Sequence, residues 1–260
     1  MRPLLGLVKV VLGLLALGVL VATAVWFWSG AATSLGTAVT QLAYALPAGQ
    51  TLEARDVSGS LREGGHIGWL RWESADLRVE ARDVTVGWAL RPFLGGTLQV
   101  QQLRVAQVRI EDLRTQATTP SPPESMVLPL NVSVLFAIDT LEWVTSTSVQ
   151  ATALSGRYVF NSCLHTLDVE RMHIASGDYR LSGQLQGCGE LALNAQLDGT
   201  VQSVLPGSVV PVMVQARAQI SGALAGRDAV LQLQGSLVPE RLALDKKTSR
   251  EAGAPVAKEA

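Results

Sequence analysis

The sequence predicts a mainly β protein that begins with a transmembrane helix and a short amphipathic helix. Three observations lead to this prediction: a long apolar run near the N-terminus, a helical spacing of apolar residues after it, and alternating apolar and polar residues over most of the remaining chain. Hydrophobic residues make up 48% of the 260 residues and aromatic residues only 5%. Val, Leu and Ala therefore supply the apolar mass, which suits many slim strands.

Residues 1–28 are predicted to be a transmembrane signal anchor. The apolar run that ends at Trp28 is interrupted only by Lys9, and as a helix it covers about 37 Å, more than the hydrocarbon core of a bilayer. Basic residues lie at its N-terminal side, which places the N-terminus in the cytoplasm and the bulk of the chain across the membrane. Trp26, Phe27 and Trp28 are expected to lie at the membrane interface.

A cleavable signal peptide is the alternative for this segment. Ala22, Thr23 and Ala24 have the small-x-small pattern of a cleavage site. Cleavage there would leave an unusually apolar mature N-terminus that begins Val-Trp-Phe-Trp. The aromatic residues fit the end of a membrane-spanning helix better.

Residues 29–47 are predicted to form a hinge and an amphipathic helix. The helix begins at Ser34 with Ser34 or Thr33 as its cap, and Pro47 stops it. Its apolar stripe consists of Leu35, Val39, Leu42 and Leu46.

Beyond the helix the apolar period changes from helical to alternating. Residues 48–117 are predicted to be a first β segment, with one slip of the alternation near Asp83, and residues 131–244 a second. The Pro-rich stretch 118–130 is the predicted linker between them. Residues 245–260 are charged and lack periodicity, so we expect a disordered tail.

The alternation gives the predicted sheet one apolar face that needs a cover. No amphipathic helix follows Leu46, so either a second sheet covers this face in a sandwich or barrel, or the sheet curls into a trough filled by acyl chains. Periodicity alone favours the sandwich or barrel. The candidate lining of a trough is Leu77, Val79, Val84, Val86, Trp88, Leu98, Val100, Val105, Val108, Ile110, Val210, Val212 and Val214.

Two cysteines, Cys163 and Cys188, are candidates for a disulfide, because export would place them in an oxidising compartment. Their spacing with His165 and His173 does not match a zinc site, and His165 as a base for a nucleophilic cysteine is the weaker interpretation. No nucleotide, hydrolase or metalloprotease motif occurs. We therefore predict no catalytic residue, no metal, no cofactor and no enzyme activity.

Charge also limits the possible partners. The 21 basic and 22 acidic residues form no basic cluster, which excludes a nucleic-acid-binding footprint.

Several segments together resemble a known family. They follow the apolar run and the short helix in this order: Leu46-Pro47-Ala48-Gly49, Val57-Ser58-Gly59-Ser60-Leu61-Arg62-Glu63-Gly64, Leu70-Arg71-Trp72, Leu77-Arg78-Val79, Val86-Gly87-Trp88-Ala89-Leu90-Arg91-Pro92, Leu98-Gln99-Val100-Gln101-Gln102-Leu103-Arg104-Val105 and Leu128-Pro129-Leu130. In this order they resemble the N-terminal region of the TamB family, the inner-membrane subunits of the translocation and assembly module. That family belongs to the AsmA-like, bridge-like lipid transfer group.

The resemblance implies an elongated, curled antiparallel β-sheet with an open apolar groove, anchored in the inner membrane and crossing the periplasm. It also implies transport of phospholipid to the outer membrane and outer-membrane protein assembly together with the barrel protein TamA. It thus favours the open groove over the sandwich.

TamB proteins are far longer, and the C-terminal domain that meets the barrel has no counterpart here, so we expect a truncated fragment or a short relative. The alternative function is a membrane-tethered periplasmic interaction module with a closed β-sandwich and no lipid conduit.

Overall fold

One open sheet of eleven strands makes up most of the protein. The computed structural model describes residues 20, 23, 26–89, 95–114, 125–145, 147–204, 211–225 and 229–239. Each strand lies beside the next strand in sequence, and the two edges of the sheet are its first and last strands. The predicted mainly β fold is confirmed. The described strands form one unclosed layer rather than a sandwich.

After the helical turn at 26–29, the described chain contains one helix followed by eleven strands. In order they are α1 (Ser34–Ala45), β1 (Thr51–Ser60), β2 (Gly64–Glu73), β3 (Leu77–Ala89), β4 (Thr97–Asp112), β5 (Asn131–Val144), β6 (Ser148–Asn161), β7 (Leu164–Ile174), β8 (Gly177–Gln186), β9 (Ala192–Val204), β10 (Pro211–Ala223) and β11 (Leu231–Pro239).

The predicted membrane anchor, 1–28, lies almost wholly outside the described residues. Residues 26–29 form a helical turn. No helix in the described part of the chain combines the length and the apolar character needed to cross a bilayer. The predicted disordered tail, 245–260, also lies outside the described residues.

Helix α1 forms where the apolar spacing predicts it and Thr33 is its N-cap residue, but the capping bond and the apolar stripe differ from the prediction. Thr33 makes no side-chain capping hydrogen bond, and Leu42 of the apolar stripe is 55% exposed. Only the first turn is buried, through Ser34 and Leu35. At the other end Leu46 is extended, as expected for a residue before proline.

The sheet is antiparallel at every described pairing except one. Strands β4 and β5 run parallel, from Thr97 opposite Asn131 to Glu111 opposite Val144. The predicted all-antiparallel sheet is wrong at this point, because the long connection 113–130 returns the chain to the end at which β4 began. The same pairing joins the two predicted β segments in one sheet.

A row of irregular residues crosses six neighbouring strands at the same height. We call this row the crease; it consists of Asp56, Gly68, Asp83, Ala106, Asp139 and Ala153, which are absent from the ladders on either side. Asp56, Asp83 and Ala153 have φ values of 55°, 52° and 54°, in the left-handed region. The slip of alternation predicted near Asp83 is therefore present, and it recurs across strands. Such irregularities bend strands.

The crease keeps apolar side chains on one face of the sheet. In all six strands the apolar interval lengthens there from two residues to three, as from Ala81 to Val84 in β3 and from Val105 to Val108 in β4. In a regular strand this extra residue would turn the apolar side chains of half the strand to the opposite face, and the irregular positions of the crease prevent this.

The opposite face is polar and carries two rows of alternating charge. One row pairs Glu53, Arg71, Glu80, Arg109 and Glu142 from five successive strands. The second row is Glu73, Arg78 and Glu111. Within these two rows the shortest ion pairs join Arg109 to Glu111 at 2.8 Å and Arg78 to both Glu73 and Glu111 at 2.9 Å. Opposite charges in neighbouring strands thus support the pairing of β2 to β5.

We predict that the left-handed backbone at Asp83 discriminates between substitutions. Asp83 is exposed, so its replacement removes little packing. Asp83→Val should lower the free energy of unfolding by about 1–2 kcal/mol, because a β-branched residue is strained at positive φ. Asp83→Asn and Asp83→Gly should change it little. Denaturant unfolding followed by circular dichroism measures this, and equal losses for Val and Asn would contradict the backbone argument.

The polar face predicts a loss of stability in acid. The hydrogen bond from Arg78 lowers the pKa of Glu73, and the hydrogen bond from Arg109 lowers the pKa of Glu111. A carboxylate with a lowered pKa in the folded state stabilises the fold above its unfolded pKa and loses this contribution as pH falls through its folded pKa. We expect the thermal unfolding midpoint to fall between about pH 5 and about pH 2.

Glu111→Gln should flatten this dependence, because the neutral amide has no carboxylate to protonate. The control is Glu170→Gln, which removes an exposed carboxylate of β7 that makes no ion pair within the described residues. Identical pH profiles for the wild type and Glu111→Gln would exclude a contribution of these charge rows.

Candidate functional site

The apolar face of the sheet is the candidate functional site. We define it as the side of the sheet that carries Ala81 and Val84 of β3. It includes their cross-strand partners and all other residues whose side chains lie on the same side. Among the described residues this side holds apolar side chains and glycines, with the exceptions Asp112, His165 and Ser203. The face continues without interruption from β1 to β11.

The register places the predicted trough residues on this face. Cross-strand partners share a face, and the ladders connect these residues to one another through adjacent strands. Those within the described residues are Leu77, Val79, Val84, Val86, Trp88, Leu98, Val100, Val105, Val108, Ile110, Val212 and Val214. Val210 lies outside the described residues.

The best-buried part of the apolar face lies beside the crease. Ile67, Ala81, Val84 and Val105 form a buried cluster, and Val84 and Val105 are only 7% and 5% exposed. Within the described residues, the strands pack substantially only against their neighbours in the sheet and, at β1, against α1. No second described layer covers the cluster.

The apolar face opens towards β11. Val214 of β10 is 7% exposed, whereas Leu233 and Leu237 of β11 are 72% and 71% exposed. The leucines of the last strand are therefore far more exposed than Val214 on the neighbouring strand.

Helix α1 lies at the β1 end of the face. The side chain of Leu35 packs so closely on Gly65 of β2 that a Cβ atom there would lie 2.9 Å from Leu35 Cδ2. The Ser34 hydroxyl accepts a hydrogen bond from the Leu61 N–H at 3.0 Å, which fixes the helix to the β1–β2 turn. A cleft of about 560 Å³ lies between the helix and β1, with Val39, Tyr44 and Leu52 among its walls.

Arg62 joins this turn to the N-terminal helical segment. The guanidinium of Arg62 lies 4.1 Å from the centre of the Trp26 ring and donates a hydrogen bond to the Trp26 carbonyl. The main-chain N–H of Arg62 donates to the Ser29 carbonyl at 3.2 Å. Trp26, Phe27 and Trp28 are 56%, 73% and 46% exposed. The sequence prediction assigned these aromatics to a membrane interface and missed the partner that Arg62 provides.

His165 makes two polar contacts on the apolar face, with Met126 and with Tyr158. Its Nε2 donates to the Met126 carbonyl at 2.6 Å, since a carbonyl can only accept, and its Nδ1 contacts the Tyr158 hydroxyl at 2.7 Å. The ring also packs on Phe160, which is 1% exposed, with 4.6 Å between ring centres. His165 is thus held by its neighbours, and the sequence did not suggest these partners.

The structure joins Cys163 and Cys188 in a disulfide with a Cα–Cα distance of 5.6 Å. The bridge connects the β6–β7 turn to the β8–β9 loop, and the Gly187 N–H donates to the Cys163 carbonyl at 2.5 Å. Gly187 in turn accepts a hydrogen bond from the Met126 N–H at 2.8 Å. Both Met126 main-chain bonds thus depend on this cross-linked corner.

Among the described residues, no three or more His, Cys, Asp or Glu side chains are placed to hold a metal ion. On the apolar face, His165 and Asp112 have protein partners.

Comparison with known proteins gave no relative. No protein-family model, no curated protein and no solved structure matches the chain.

We predict that the disulfide contributes to stability through the loop that it closes. The two cysteines are 25 residues apart, and a cross-link of this span stabilises a fold by about 3 kcal/mol. Reduction should therefore lower the thermal unfolding midpoint of the wild-type protein. The Cys163→Ala, Cys188→Ala double variant should start from the lower midpoint and show no response to reductant. A wild-type midpoint that is insensitive to reductant would contradict the prediction.

Proposed function

We propose that this protein is anchored in the inner membrane and that its sheet curls into an open periplasmic groove with the apolar face inside. The groove would conduct the acyl chains of phospholipids towards the outer membrane, as the resemblance to the TamB family implies. The observation that carries this proposal is the apolar face itself, which crosses all eleven strands without a described covering layer.

The size of the apolar face supports a lipid ligand. Eleven strands spaced about 4.8 Å apart extend over roughly 50 Å. Soluble proteins rarely expose a continuous apolar surface of more than a few hundred Å², because each Å² left in water costs about 25 cal/mol. Acyl chains would cover this surface without requiring hydrogen-bonding groups, which the face lacks along most of its length.

The pattern of burial supports the curvature. Val84 and Val105 are almost fully buried although no described layer packs over them. A flat sheet would leave valines on an uncovered face largely exposed. Curling at the crease would bring apolar side chains of neighbouring strands together, because irregular positions increase bend and twist. The charge rows lie on the opposite, outer face, in water.

The N-terminal contacts support a fixed relation between anchor and groove. Arg62 joins the β1–β2 turn to Trp26, and Leu35 of α1 packs on Gly65 at the same end of the face. In this arrangement α1 lies at the mouth of the groove, where lipid would leave the membrane.

The test is site-specific photo-crosslinking at two adjacent residues that face opposite ways. Phe136 lies on the apolar face of β5, and Leu135 lies on its polar face and is 43% exposed. We expect the full chain, made in membranes with a photo-reactive phenylalanine at 136, to form adducts with the mass of a phospholipid. The same residue at 135 should form few.

This pair separates a lipid conduit from general membrane contact, because the two positions are adjacent in the same strand and face opposite sides of the sheet. Equal labelling at 135 and 136 would indicate nonspecific contact. Absence of lipid adducts at 136 would exclude the proposed groove.

A further inference from the structure

The last strand of the described sheet has an unprotected edge. Strand β11 pairs with β10, and no strand among the described residues lies on its other side. All of its residues are exposed, from Leu231 to Pro239. The N–H and C=O groups along such an edge form a template for another strand.

The strand at the opposite edge has the protection that β11 lacks. Strand β1 carries Glu53, Arg55 and Asp56, of which Asp56 has a left-handed conformation, and α1 packs against it. Charged residues, irregular positions and a covering helix all prevent edge-to-edge pairing. Strand β11 contains no charged residue, and its proline lies at its end.

We propose that β11 pairs with β11 of a second copy of this chain, antiparallel about a two-fold axis at Gly235. The apolar-face positions of the sequence Leu-Gln-Leu-Gln-Gly-Ser-Leu-Val-Pro are self-complementary in this register. Leu233 lies opposite Leu237 of the partner subunit, and Gln234 lies opposite Ser236 of the partner subunit. On the apolar face apolar residues meet apolar residues, and on the polar face Gln234 meets Ser236, whereas Gln232 lies opposite Val238 of the partner subunit.

The two-fold axis joins equivalent faces. It runs perpendicular to the sheet, so the apolar face of one copy continues into the apolar face of the other, and Leu233 and Leu237 gain neighbours. A partner strand without this alternation would place polar side chains among these leucines.

Gly235 fits a position on the axis. A Cβ atom built there meets only the Arg217 carbonyl, at the ordinary contact distance of 3.5 Å, so packing within its own sheet does not require glycine. Glycine weakens a strand interior, yet it leaves room where two identical residues face each other.

The expected dimer is reversible. A single strand edge buries less than the roughly 800 Å² per partner that is typical of a stable interface. The fraction of dimer should therefore rise with protein concentration rather than being complete at all concentrations.

Charge variants on the exposed polar side of β11 test the pairing. Gln234→Lys with Ser236→Lys places lysine opposite lysine twice in the proposed register, and we expect it to weaken dimerisation about tenfold. Gln234→Glu with Ser236→Lys places opposite charges together and should restore or strengthen it. Analytical ultracentrifugation of the full chain in detergent micelles measures the mass, which doubles from 27.6 kDa on dimerisation.

A cysteine cross-link tests the axis directly. Cys163 and Cys188 are bonded to each other, so Gly235→Cys supplies a free thiol that a short bifunctional reagent can join to its copy. Glu53→Cys, on the exposed surface of β1, is the matched control for random collision. We expect cross-linked dimer from Gly235→Cys well above that from Glu53→Cys.

Three results would overturn the proposal. The first is a protein that remains monomeric at every concentration. Its β11 amides would then either exchange freely with solvent or be protected by another segment of the same chain. The second is a dimer that resists Gln234→Lys with Ser236→Lys, and the third is equal cross-linking at 53 and 235. The proposal is independent of the lipid-conduit function, since neither readout involves lipid.

Discussion

The fold depends on one constraint: a sheet whose apolar residues lie mostly on one side must bury that side without a second described layer. Regular alternation of side chains cannot keep the apolar residues on one side, because strands β1 to β6 each contain an extra residue at the crease. The left-handed positions at Asp56, Asp83 and Ala153 resolve this conflict. They align the extra residue in neighbouring strands, so the ladders resume in register and the apolar face is preserved.

The charge rows on the other face serve the same constraint. A single partly exposed ion pair contributes little free energy. Ion pairs such as Arg78–Glu73 and Arg109–Glu142 are therefore not the main source of stability. Their order matters more, because a shift of one strand by two residues would keep the apolar face intact but break the alternation of charge. The polar face thus supports the register that the apolar face alone leaves open.

The sequence predicted what depends on local alternation and, apart from the Cys163–Cys188 pair, missed what depends on distant contacts. The facing of Val79, Val105 and Val214 and the slip at Asp83 follow from neighbouring residues, and the structure shows each of them. The parallel pairing of β4 and β5 was not predictable, because the sequence of 113–130 does not indicate at which end of β4 the next strand begins. The bond from His165 to Met126 spans 39 residues and has no local signal.

The two edges of the sheet explain why the protein is asymmetric in its exposure. At β1, charges, a left-handed residue and α1 all oppose further pairing, and Arg62 fixes the same end to the N-terminal helical segment. At β11 the apolar face is exposed and the edge carries no charge. A sheet that only needed to be soluble would protect both edges. Among the described residues only the β1 edge is protected, which is the arrangement expected when the other edge is an interface, and the proposed groove would then extend beyond a single chain.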